Sequence, residues 1–140
     1  AILVQSASAL LPIPKSLPID QYFSDTAGAY LMAIFGITFA PLVEELFFRG
    51  FLYPVVARKL GVGVAVGITA LLFALIHEAQ LGHAWAPLLL LWFVGVVLAS
   101  VRVWSRSVGA SFCVHVGYNF TLFLLIFLAT DHFRHLEKLG

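Results

Sequence analysis

Charged side chains are scarce in this chain: eight Lys/Arg and seven Asp/Glu among 140 residues, or 11%, against about 25% in an ordinary soluble domain. That shortage excludes a water-soluble globule, a disordered tail and a coiled coil. An excess of either sign is also missing. A net charge of +1 gives nucleic acid no electrostatic foothold, so no nucleic-acid partner is expected. Cys113 is the single cysteine; no internal disulfide can form and a disulfide scaffold is excluded. Residues 1–11 are apolar but lack the basic start and cleavage signature of a signal peptide. No internal repeat, low-complexity tract or linker interrupts the chain. It reads as one domain over 1–140, with an N-terminal arm (1–26), a helical core (27–130) and a tail (131–140).

What is abundant is apolar. Such residues make up 61% of the chain, and the mean hydropathy is +1.01. Residues 62–76, 86–101 and 107–130 contain no charged side chain, and 27–57 contains only Glu44, Glu45 and Arg49. At a rise of about 1.5 Å per residue these are helices of about 23, 24, 36 and 46 Å, against a hydrocarbon core of about 30 Å. The two shorter ones need flanking residues such as His77 or Arg102 to reach the interface. The longest places Pro41 near its middle, an expected kink or break. Strands are excluded, because the runs are continuously apolar and four segments cannot close a barrel. The expected fold is an all-α, polytopic transmembrane helix bundle with about four to five hydrophobic segments. It opens on Ala1 and holds Pro12, Pro14, Pro18, Lys15, Asp20 and Asp25 in its arm, and is expected to be part of a longer protein.

Connections fall at Lys59-Leu60-Gly61, at 78–85 and at a basic turn over 102–106. A hairpin of the second and third segments puts Arg58, Lys59, Arg102 and Arg106 on one side. The 78–85 loop on the other side has no Lys or Arg. By the positive-inside rule the basic side is cytoplasmic, although Arg134 and Lys138 in the tail oppose it. The expected location is integral to a membrane, the bacterial inner membrane.

Ionisable groups within a span are costly and demand a reason. Glu45 and Arg49 are four apart on one helix face, acid first, the favourable order for a pair. Glu44 points about 100° away, one step of a helix turn, and keeps no local cation. One acid is neutralised while its neighbour stays available. His77 ends the second segment, with Phe73 one turn earlier as packing that steadies the imidazole. His83 follows in the loop and reads as interfacial. His115 and Asn119 are also four apart, so both project from one face of the fourth segment. Together they offer donors that an oxyanion needs, or hydrogen bonds between helices. Tyr118 and Cys113 read as packing. Three segments thus each carry one polar cluster, and a bundle gives the clusters reason to converge away from lipid. The inventory of two acids, two histidines, an amide and a guanidinium suits hydrolysis.

Three spacings, EExxxR at Glu44, Glu45 and Arg49, FxxxH at Phe73 and His77, and HxxxN at His115 and Asn119, occur in this order on successive apolar segments. In this respect the sequence resembles the CAAX-protease and bacteriocin-processing family, also called the ABI or type II CAAX prenyl endopeptidase family. The resemblance spans roughly residues 41–120. It implies an all-helical intramembrane endopeptidase of the glutamate type, without cofactor or metal, acting on a membrane-associated peptide or protein in the lipid bilayer. Carried over, Glu44 is the general base that activates water, helped by His77. Glu45 and Arg49 support the site, and His115 and Asn119 form the oxyanion hole. Family members usually have more membrane helices than are counted here.

Two other readings stay open. The two histidines and two carboxylates could hold zinc in a zinc-dependent membrane protease, although no HExxH is present. Alternatively the chain is a non-catalytic membrane immunity or scaffold protein that binds a peptide or partner, its polar cluster a structural network. Substrate identity and oligomeric state are not legible in the sequence.

Overall fold

The computed structural model describes residues 25–135, together with Pro18 and Gln21. The readings made on Pro12, Pro14, Lys15, Asp20 and Lys138 lie outside the described residues, within which every regular element is helical.

Helix α1, Thr26–Leu60, is a single 35-residue helix. Asp25 caps its start by accepting from the Gly28 N–H at 2.8 Å, a standard way to satisfy an orphan donor. The break expected at Pro41 does not occur. Instead the helix widens into π-helix over Phe35–Phe39 and again over Leu46–Leu52, with α-turns at Ala40–Glu45 between them. Each π segment runs directly into an α segment whose second residue is a proline, Pro41 or Pro54. A proline lacks the N–H for an α-helical bond and clashes with the carbonyl four residues back. Widening the preceding turn relieves that clash without ending the helix.

The wider register has a consequence for the carbonyls. The N–H of Ala40 donates to Phe35 O and that of Tyr53 to Phe48 O, both five residues back. Continued by one residue, that register would pair Gly36 O with residue 41 and Arg49 O with residue 54. Both are prolines with nothing to donate. Neighbouring helices supply the missing donors: Asn119 Nδ2 reaches Gly36 O at 2.7 Å, and Arg102 Nε reaches Arg49 O at 3.3 Å.

Helix α2 is Val62–Leu75, α3 is Trp85–Ser105 and α4 is Val108–Ala129. The basic turn expected over 102–106 is shorter than that. Nothing in 102–105 breaks a helix, and Ser105 Oγ donates back to Val101 O at 2.7 Å, so α3 continues through Arg102. Arg106, in the left-handed region at φ 56°, makes the turn. Ser107 then caps α4 by accepting from the Ala110 N–H at 3.3 Å.

Helices α1, α3 and α4 are long and apolar enough to cross a membrane. Helix α2 is shorter, 14 residues or about 21 Å. Large apolar side chains including Leu31, Phe39, Phe51 and Trp104 face outward, as they do when the surrounding solvent is lipid. Helices α2 and α3 approach closely at Gly95, where a Cβ would stand 2.9 Å from Ala70 Cα. Small residues at such crossings let membrane helices come together. Helix α4 crosses α1 at Gly36, where a Cβ would meet the Phe123 ring at 2.8 Å. The beginning of α1 is tied to the turn after α4 by a cluster of Ala29, Ala33 and Phe133 and by Thr26 Oγ1 donating to Phe133 O at 3.0 Å. On α4 the buried residues are Ser111 and His115, one face at i, i+4 spacing. Cys113 lies off that face and is exposed, not packed as its sequence position implied.

Candidate active site

The polar residues of α1 lie where its α and π segments meet. Glu45 closes the central α segment and Arg49 lies in the following π segment. Both are buried, Glu45 at 1% exposure and Arg49 at 0%. Arg49 Nη1 donates to Glu45 Oε1 at 2.9 Å, and Nη2 donates to Gly95 O on α3 at 3.0 Å. The guanidinium lies 4.8 Å from the centre of the Phe73 ring and 5.8 Å from that of Phe48, within the range of a favourable cation–π contact. Glu45 Oε1 also meets His115 Nδ1 at 3.0 Å. One carboxylate oxygen therefore joins α1 to α4, while Arg49 joins α1 to α3. Glu45 Oε2 and Arg49 Nε are buried without a hydrogen-bond partner among the described residues.

Glu44 faces the other way. Its Oε1 stands 3.6 Å from His77 Nε2 and its Oε2 stands 3.6 Å from His115 Nε2. These separations exceed a direct hydrogen bond, and the three groups border one small region that a water molecule can reach. Glu44 and His77 keep 18% side-chain exposure, whereas Glu45 is sealed.

Hydrogen-bond chemistry fixes the imidazole tautomers. His77 Nδ1 lies 2.8 Å from Phe73 O, which can only accept, so His77 Nδ1 carries the proton. His115 Nδ1 faces a carboxylate oxygen and likewise carries one. In their neutral forms both Nε2 atoms turn a lone pair towards Glu44. Three acceptors then converge on one small region, a seat for a hydrogen-bond donor such as water or a shared proton. The Phe73 ring, 1% exposed, backs this region, with centroids 5.1 Å from His77, 5.7 Å from His115 and 5.6 Å from Phe48.

Glu44, Glu45, Arg49, Phe73, His77 and His115 are thus gathered in one cluster from three helices. Asn119 stands one turn further along α4, and its Nδ2 is engaged with Gly36 O, away from the point where the two histidines face Glu44. An amide nitrogen has two N–H groups, so one remains for another acceptor. His83 pairs with Glu78 at 2.9 Å in the exposed loop and stays apart from the cluster. Sequence reasoning missed three participants: the Gly95 carbonyl, Phe48 and Arg102. Backbone acceptors have no sequence signature. The need for donors at Gly36 and Arg49 could have been inferred from the two prolines, but the helices that answer it could not. Among the described residues, no group of three His, Cys, Asp or Glu side chains has an arrangement suited to holding a metal ion.

A family model described as type II CAAX prenyl endopeptidase Rce1-like matches residues 26–121. No curated protein and no solved structure matches the chain.

Proposed function

The chain belongs to the Rce1-like family of type II CAAX prenyl endopeptidases, and from that premise we propose that it hydrolyses a peptide bond within the membrane by glutamate-activated water. The observation that carries the reading is the division of labour between adjacent acids. Glu45 is neutralised by Arg49 at 2.9 Å, while Glu44 faces two imidazole nitrogens at 3.6 Å.

Glu44 is the general base. It takes a proton from a water molecule as the water oxygen attacks the scissile carbonyl carbon, and the carbonyl oxygen becomes an oxyanion. His77 Nε2, beside Glu44 Oε1, accepts the water's other hydrogen bond, and the ring's orientation is set by Phe73 O. When the tetrahedral intermediate collapses, the proton held by Glu44 passes to the leaving amine as the C–N bond breaks. In the reacting state His115 donates to the oxyanion through an Nε2–H, with its Nδ1–H held by Glu45 Oε1. The second N–H of Asn119 is the other donor, oriented by the bond from its first to Gly36 O. Such preorganised donors typically contribute about a hundredfold to a thousandfold each.

The family's description points to a prenylated peptide with a CAAX-type C-terminus as substrate; a leader peptide is the alternative. We take the membrane to be the bacterial inner membrane, and the balance of basic residues at the two ends of the α2–α3 hairpin supports a cytoplasmic Arg102 end.

The test uses purified full-length chain in micelles and a quenched fluorescent S-farnesyl CAAX peptide. Wild type should cleave it, and should keep its rate after exhaustive chelation. Lost activity that zinc restores would support a metalloenzyme. Binding without cleavage would support the scaffold reading.

A further inference from the structure

We infer that Arg102, which lies outside all three motifs, is a positioning residue for the site, because it supplies to the Arg49 carbonyl the donor that Pro54 removes. The inference rests on the reading of Glu44, Glu45 and Arg49 as catalytic machinery. Its physical basis is independent of that reading.

Arg49 carries its side chain into the cluster from within the π segment Leu46–Leu52. Its backbone is therefore what sets where the guanidinium stands relative to Glu45 Oε1 and Gly95 O. The Tyr53 N–H is taken by Phe48 O, and the next residue, Pro54, has no N–H. An unpaired carbonyl at this place, turned towards lipid or apolar side chains, would be costly. The helix could recover by sliding back to α register, which would rotate Arg49 relative to Glu45. Arg102 Nε at 3.3 Å from Arg49 O removes that incentive. Its guanidinium carbon lies 5.6 Å from the centre of the Tyr53 ring, so the residue following Arg49's π segment is held by the same side chain. Arg102 can do this because α3 continues one turn beyond the point where its charge would suggest a loop. Asn119 does the same for Gly36 O at the first proline, so α1 carries the same arrangement on both sides of Glu44 and Glu45.

The role is specific to an N–H at a defined reach, which gives a discriminating pair of variants. Glutamine places its side-chain nitrogen the same number of bonds from the backbone as arginine Nε. Methionine matches the length and has no donor. Both remove the charge, so effects on topology and on the Tyr53 contact are common to the two. With the S-farnesyl CAAX peptide as probe, Arg102→Met should lower kcat about tenfold with KM within about twofold, the scale of one buried acceptor left unpaired. Arg102→Gln should recover most of that loss. In parallel, hydrogen–deuterium exchange of the same micellar samples should rise over Leu46–Leu52 in Arg102→Met and stay near wild type in Arg102→Gln. The exchange measurement needs no substrate, so it tests the role of Arg102 even if wild type fails to cleave the probe, an outcome that would count against the proposed function alone. The assignment is overturned if the Gln and Met variants behave alike, whether both retain or both lose fold, exchange protection and activity. It is overturned equally by a loss confined to KM.

Discussion

At the scale of single residues, Glu44 and Glu45 are adjacent in sequence but occupy different electrostatic settings. Glu45 is 1% exposed and shares one oxygen between a guanidinium and an imidazole; Glu44 retains partial exposure and touches no cation of its own helix. Removing Arg49 leaves Glu45 buried against His115 alone. Arg49→Ala is expected to destabilise the protein by about 3–5 kcal/mol, the cost of stranding one member of a buried pair, and thermal unfolding in micelles reads it directly. An unchanged midpoint would show that Glu45 reaches water. His77→Ala and His115→Ala should each abolish cleavage with the fold retained, measured as activity beside circular dichroism. Asn119→Ala should impair cleavage without erasing it. The Glu45–Arg49 pair was legible because i, i+4 spacing needs nothing but helix geometry. The bond between Glu45 and His115, separated by 70 positions, depends on how α4 packs against α1, and no local pattern encodes that.

At the scale of elements, the two prolines of α1 explain why the catalytic segment is irregular and yet unbroken. Pro41 was legible as a disturbance, but its form was not. Whether a proline breaks, kinks or widens a helix depends on whether another element supplies a donor for the stranded carbonyl. Here Asn119 and Arg102 do so, from helices that the local sequence around each proline cannot indicate. The polar face of α4 was legible for the same reason as the acid–base pair, but the engagement of one Asn119 N–H by Gly36 O was not. Gly95 shows packing and site construction in one residue: it lets α2 and α3 meet and presents the carbonyl that accepts from Arg49. Gly95→Val should push the two helices apart. A loss of about 1–3 kcal/mol is expected from overpacking, with cleavage reduced beyond what thermal stability alone accounts for. Retention of full activity and stability would show that the crossing yields without moving Arg49.

At the scale of the whole molecule, the all-helical membrane fold and its four apolar blocks were legible from the exclusion of charge alone. Helix ends were less so, since α3 carries Arg102 inside its last turn while the basic pattern suggested a loop. The proposed orientation can be checked in a Cys113→Ala background. A single cysteine at Ser107 should resist a membrane-impermeant maleimide added to intact cells, while one at Gly82 should react; the reverse pattern would invert the topology. The central claim is that Glu44 activates the water. The most direct measurement compares cleavage of the S-farnesyl CAAX peptide by purified wild type and by Glu44→Gln, a substitution that keeps the size of the side chain but removes the base. The account predicts a folded variant with unchanged melting temperature and a rate lower by about a hundredfold to ten-thousandfold, the usual range for a lost general base. A folded Glu44→Gln protein that cleaves at the wild-type rate would contradict it.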